Sequence, residues 1–255
     1  MSPILTGTFA SLVAGAATGI GALPALKVDY VPDRIVKTTL GFAAGVMLAA
    51  SSFSLVVPGI EHGDKVFPRM GVFMVLFGLA VGGLFLHLID SWLPEDAFLE
   101  EGQGPADGSL RRLWLFIIAI TLHNFPEGLA VGVGYGTGEI NAGLALTAGI
   151  ALQNMPEGLA VALPLVGIGY PAKKAIWIAT LTGLVEPVGG FLGVSAVTLF
   201  HPVLPVAMGF AAGAMLFVIC DQIISDIHAE GRNRSATFAL LVGFGVMTLL
   251  DTLLG

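Results

Sequence analysis

The sequence predicts an all-α polytopic membrane protein with eight transmembrane helices. Three observations carry that expectation. The chain of 255 residues is 55% hydrophobic and only 11% charged, with a mean hydropathy of +0.89, more apolar surface than an ordinary soluble domain needs. Its apolar stretches repeatedly reach about 20 residues, the length at which a helix crosses a bilayer. Its 35 glycines suit membrane helices, whose association depends on close backbone approach.

The expected helices are 4–26, 38–60, 70–93, 112–135, 142–165, 174–199, 204–224 and 236–254, forming one transmembrane domain over 1–255. Residues 1–26 contain no charged side chain; the basic start of a secretory signal is missing, and the stretch reads as a retained first helix. The second segment carries "GFAAGVML" at 41–48 and ends in Glu61, His62 and Asp64; the third ends in His87 and Asp90. The connection 94–111, "PEDAFLEEGQGPADGSLR", is acidic and Gly/Pro-bearing, hence expected to be mobile. "LHNFPEG" at 122–128 lies in the fourth segment and "LQNMPEG" at 152–158 in the fifth. The sixth, the longest, contains "LVEPVGG" around Glu186 and is expected to tilt or to end before Phe200. "GFAAGAML" at 209–216 lies in the seventh segment, followed by Cys220 and Asp221; the eighth closes the chain.

The basic residues orient these segments. Lys27, Arg34, Lys37, Arg111, Arg112, Lys173, Lys174, Arg232 and Arg234 fall on one side of the membrane, leaving only Lys65 and Arg69 on the other. The positive-inside rule places the 94–111 connection in the cytoplasm and both termini in the periplasm or outside. The expected location is the inner (plasma) membrane. The two octapeptides share seven of eight residues, in segments that run in opposite directions. That predicts an inverted repeat of helices 1–3 and 6–8 around helices 4 and 5, a common transporter plan with the site at the repeat interface.

The polar residues inside these apolar runs point to chemistry. His123 and Glu127 are four residues apart, so a helix puts them on one face; Gln153 and Glu157 repeat the spacing. Asn124 and Asn154 sit one residue on, turned toward a neighbouring direction. Pro126 and Pro156 cannot donate to the carbonyls of Leu122 and Leu152, which become oxygen acceptors tolerable only beside protein, water or an ion. Gly128 and Gly158 permit close packing there. A buried carboxylate is costly unless paired, protonated or bound to a cation, and no Lys or Arg lies near the centre of any segment. Glu127, Glu157 and Glu186 with one imidazole, one glutamine and two asparagines call for a divalent metal. Imidazole with carboxylate suits zinc, iron or manganese, whereas magnesium and calcium prefer oxygen alone.

Other classes fare less well. The lone Cys220 excludes an internal disulfide and a thiolate cage and reads as packing. No basic cluster suggests nucleic acid, and no ATP-binding motif is present. An intramembrane metalloprotease usually needs H-E-x-x-H, but the fourth segment reads H-N-F-P-E without a second histidine. A proton or monovalent-cation pathway through the three glutamates stays open.

"HNFPEG" on the fourth helix, "QNMPEG" on the fifth and eight helices with both termini outside resemble the ZIP (Zrt/Irt-like) divalent-metal transporters, in their prokaryotic GufA-like branch. The resemblance covers essentially the whole chain. It implies no enzymatic activity but import of a divalent transition metal into the cytosol: zinc foremost, with cadmium, ferrous iron or manganese as alternatives. The path implied is a two-metal centre between helices 4, 5 and 6, worked by alternating access, with a metal-selective channel as the alternative. The main site would be His123, Glu127, Gln153 and Glu157. The second would use Asn124, Asn154 and Glu186, bridged by Glu127 and Glu157. Many members have histidine where Gln153 stands, close bacterial relatives can have aspartate at Asn154, and a His-Glu pair often replaces "CDQIISD", leaving Asp221 as the candidate exit ligand. The cytoplasmic loop, often histidine-rich in the family, offers only Glu95, Asp96, Glu100, Glu101 and Asp107 and reads as a solvated linker. Glu61, with His62 and Asp64, is the candidate entrance, or a surface turn. Met47 and Met215, at equivalent repeat positions, could present thioethers to the path, although core packing is the plainer role. The expected partners are divalent metal ions, the lipid bilayer and a second copy of the chain.

Overall fold

A computed structural model describes residues 2–27, 32–92, 107–167, 169–228 and 231–254; among them every regular element is helical. Helix α1 (Pro3–Ala22) starts on Ser2, whose hydroxyl accepts from the Leu5 N–H at 3.4 Å, and has a proline in its first turn, where no donor is lost. Helix α2 (Asp33–Ala49) passes through a π-helical stretch, Ala50–Val56, into α3 (Val57–Val66). The second segment therefore begins before 38 and continues past 60. Helix α4 (Gly71–Trp92) follows a tight turn in which Asp64 Oδ1 accepts from the Gly71 N–H at 2.8 Å.

Helices α5 (Asp107–Gly136) and α6 (Ile140–Gly167) continue through their internal prolines. Residues 107–111, expected in the connection, are the first helical turns of α5, because "DGSLRR" carries a helix-starting Asp and no breaker after Gly108. The remainder of the expected connection, 94–106, lies outside the described residues. The sixth segment is two helices, α7 (Ala172–Gly183) and α8 (Glu186–Leu199), interrupted at Leu184 and Val185; it ends before Phe200, as expected. The seventh is α9 (Leu204–Val218), a π turn at Ile219–Ile223, and α10 (Ile224–His228). Helix α11 (Arg234–Leu254) completes the fold.

Six helical spans among the described residues are long and apolar enough to cross a membrane: Pro3–Leu26, Arg34–Val66, Gly71–Ile89, Ala172–Leu199, His201–Asp221 and Arg234–Leu254. The protein is a multi-pass membrane protein. The expected eight add α5 and α6, which are not among the six although they have 30 and 28 residues. In α6 the Gln-Asn and Pro-Glu pairs dilute the apolar run. Phe73, Phe77 and Leu84 on α4 and Phe238, Leu241 and Val242 on α11 stand exposed, as lipid-facing side chains do and as a soluble surface would avoid.

Helix α4 packs on α9, α2 on α11, α5 on α8, and α1 on α5, α6, α7 and α8. The glycines of the octapeptides make the closest approaches. Gly41 and Gly45 lie against the carbonyls of Ala236 and Leu240 on α11; Gly209 and Gly213 lie against those of Val75 and Leu79 on α4. A Cβ at any of the four would collide with a backbone oxygen, so only glycine permits these crossings. Gly15 and Gly183, separated in the chain as Gly41 and Gly209 are, each face the other's carbonyl.

Candidate metal site

The polar cluster forms where α1, α5, α6 and the start of α8 converge. Asn124 and Glu127 come from α5, Gln153, Asn154 and Glu157 from α6, and Glu186 is the first residue of α8, directly after the interruption. All six are buried, none more than 1% exposed. Gly128 brings α5 against the backbone carbonyl of Glu186, and Gly158 brings α6 against that of Thr18 on α1. These two motif glycines therefore set the closeness of the four helices.

Two amides hold two of the carboxylates. Gln153 Nε2 donates to Glu127 Oε1 at 2.6 Å. Asn154 Nδ2 donates to Glu186 Oε1 at 2.5 Å and to the Ala14 carbonyl at 2.8 Å, tying α6 to α8 and α1 together. Glu127 lies within electrostatic reach of Glu157 and Glu186. Among the described residues, Glu127 Oε2, Gln153 Oε1, Asn154 Oδ1, both oxygens of Glu157, Glu186 Oε2 and both amide atoms of Asn124 have no hydrogen-bond partner. All but one of these atoms are oxygens. Buried polar atoms are nearly always partnered in folded proteins, so such a concentration of oxygen without a protein cation is a donor set suited to a metal ion.

Of the expected main site, Glu127, Gln153 and Glu157 are in the cluster; His123 lies on α5 one turn before Glu127, with its side chain outside the described ones. Asn124, Asn154 and Glu186 are in the same cluster. Among the described residues no three His, Cys, Asp or Glu side chains stand close enough together to hold one ion; amides stand among the carboxylates, one on Glu127 and one on Glu186.

The peripheral candidates fall elsewhere. Glu61 is exposed on α3, while its neighbour His62 places Nδ1 2.9 Å from the Pro58 carbonyl and Asp64 serves the turn before α4. Asp221 is exposed in the π turn. Met47 and Met215 are fully buried in the main apolar core. Cys220, expected to pack, is instead exposed, within the π turn that follows α9. The His87 ring meets Phe217 edge-on at 6.0 Å, and the Asp90 side chain lies outside the described ones.

Two polar features escape the sequence reasoning. Ser54 donates to Asp251 at 2.6 Å beside a cavity of about 130 Å³ lined also by His62, Thr137 and Glu139; an aspartate inside the last apolar segment was the available signal. Thr18 is fully buried, and its hydroxyl has no partner among the described residues; no local spacing within α1 announced it.

Comparison with known proteins adds the whole-chain context. The family model described as ZIP zinc transporter matches residues 95–251. The chain is 44% identical to the zinc transporter ZIPB of Bordetella bronchiseptica, over 94% of this chain and 78% of that protein. It is 41% identical to the zinc transporter GufA of Myxococcus xanthus, over 98% and 99%, and 36% identical to the human zinc transporter ZIP11, over 87% and 89%. The two bacterial relatives match at least 94% of the chain rather than the paired motifs alone, and together with the family model and the buried carboxylate-amide cluster they mean that the chain belongs to the ZIP family of zinc transporters.

Proposed function

We infer that the protein is a divalent-metal uptake transporter with zinc as its foremost substrate, and not an enzyme. The observation that carries this reading is the buried oxygen-rich cluster on α5, α6 and α8, a donor set suited to a metal ion, in a chain whose relatives are named zinc transporters. His123, Glu127, Gln153 and Glu157 form the main ligand set of this proposal. Asn124, Asn154 and Glu186 form the adjoining one, with Glu127 and Glu157 between them. Glu157 is the central ligand: both its oxygens are buried without a partner among the described residues.

The finer reading follows from chemistry and topology. Eight spans in one domain, both termini periplasmic and an inner-membrane location rest on the basic-residue asymmetry. Alternating access, with one group of helices moving against the other, is supported by the paired octapeptides and their matched glycine contacts, which favour an inverted repeat. Metal enters near Glu61 and leaves past Asp221, the exposed acids at opposite ends of the proposed path. The exposed apolar face of α4 is suited to lipid and to a second copy of the chain.

Uptake of zinc, cadmium, ferrous iron and manganese into proteoliposomes tests the reading. Zinc enters with wild-type protein and not with Glu157→Ala. Normal transport by Glu157→Ala overturns the site, and a wild type that moves none of the four metals overturns the functional class. Cysteines placed on both faces of the site, labelled with and without zinc, separate a carrier from a channel: simultaneous access from both sides indicates the channel.

A further inference from the structure

We propose that Thr18 on α1 belongs to the metal path, as the neutral oxygen counterpart of Glu186 on the side of the second motif. The proposal rests on the metal-site reading above and deepens it. The spacing that pairs Gly41 with Gly209 also pairs Gly15 with Gly183, Gly21 with Gly189 and Thr18 with Glu186. The spacing between the two motifs pairs Asn124 with Asn154, Phe125 with Met155 and Gly128 with Gly158. The contacts obey both pairings at once. Gly189 abuts the carbonyl of Phe125, and Gly21 abuts that of Met155; Gly128 abuts the backbone of Glu186, and Gly158 abuts that of Thr18. Thr18 therefore stands to "QNMPEG" as Glu186 stands to "HNFPEG".

The side chain is placed for a role in the site. A Cβ added at Gly183, one turn before Glu186, would meet Thr18 Oγ1, and one added at Gly15 would touch Glu186 Cβ. The Ala14 carbonyl, one turn before Thr18, receives the Asn154 amide that also holds Glu186. This face of α1 is thus a wall of the cluster.

The hydroxyl itself is anomalous. A helical threonine ordinarily bonds back to the carbonyl four residues earlier, as Thr8, Thr121, Thr147 and Thr180 do on α1, α5, α6 and α7. Thr18 Oγ1 is fully buried and has no partner among the described residues. The counterpart pair differs in the same sense: Asn154 is bonded to Glu186, whereas Asn124 has both amide atoms unpartnered. Of these matched positions, Glu186 and Asn154 are bonded to each other, whereas Asn124 and Thr18 are left unpartnered among the described residues. A neutral oxygen there binds the metal, or a water it carries, without adding a charge that would hold the ion too firmly for release.

Thr18→Val is the test, because valine keeps the shape and deletes only the hydroxyl. Removing an unsatisfied buried hydroxyl leaves thermal stability equal or higher. A packing residue would therefore be silent in transport. A path residue raises the KM for zinc about five- to tenfold, the loss of roughly one hydrogen-bond-strength contact, while Thr18→Ser stays near wild type. A wild-type KM and zinc affinity in Thr18→Val overturns the proposal. Should Thr18→Val not fold, zinc titration of Thr18→Ala against Thr18→Ser decides the same point: equal affinities overturn it. Glu127→Gln and Glu157→Gln run alongside. If they too transport normally, the metal-site reading has failed; if they are inactive while Thr18→Val is silent, only the role of Thr18 has.

Discussion

The two motif-bearing sides of the molecule share a packing frame and differ in chemistry. On both, a motif glycine presses its helix against the backbone of another, Gly128 on Glu186 and Gly158 on Thr18. On both, an asparagine precedes the Pro-Glu-Gly step. Yet one motif opens with His123 and the other with Gln153; one asparagine is held by two partners and the other by none among the described residues. The difference teaches that backbone approach and ligand identity are separable. Glycines fix how near the helices come, and the side chains at matched positions are then free to make the site lopsided.

The sharpest way to break the comparison is at the ligands. Glu157→Ala should reduce uptake at least about a hundredfold, more than the ~10–100-fold typical of outer-shell partners, in an initial-rate assay with zinc. The frame is attacked next: Gly128→Ala and Gly158→Ala each force a methyl into a backbone carbonyl and should destabilise by about 1–3 kcal/mol. Thermal unfolding of the purified variants checks this. Equal losses sharpen the shared frame, and a loss confined to one variant breaks it. Asn154→Asp sets a carboxylate beside Glu186 in place of the amide that holds it. Stability without metal should fall, and the rise in melting temperature on adding zinc should exceed that of wild type, as linkage requires of tighter binding to the folded state. Gln153→His makes the two motifs alike and should lower the KM for zinc by about threefold to tenfold relative to manganese, since imidazole favours the later metal. Met47→Leu should change least, under about 1.5 kcal/mol in stability, with metal preference unmoved, because its thioether is packed in the core.

Much of this was legible in the sequence because hydropathy and spacing are sums over residues. Apolar runs marked the helices, and carboxylates in those runs marked the cluster: Glu127, Glu157 and Glu186 are all buried together. What escaped depends on backbone detail or on distant contacts. The interruption at Leu184 and Val185 was hidden because both residues are apolar and the run looked unbroken; Pro187, in the first turn of α8, was the overlooked sign. The π stretches after each octapeptide leave no compositional trace, and Cys220, alone in an apolar run, read as packed although it is exposed. The entry of α1 into the site rests on Asn154 reaching the Ala14 carbonyl, a bond between residues that no local spacing connects.

The interruption of the sixth segment has an electrostatic consequence. It gives Glu186 the position at the head of α8, where aligned peptide dipoles amount to roughly half a positive charge. This carboxylate therefore has a counter-charge built into the backbone, present whether or not an ion is bound. Glu157, mid-helix on α6, has no such support, and in the proposed site it relies on the cargo. In the metal site proposed above, an ion passing between them would move from the residue that needs it toward one that can let it go.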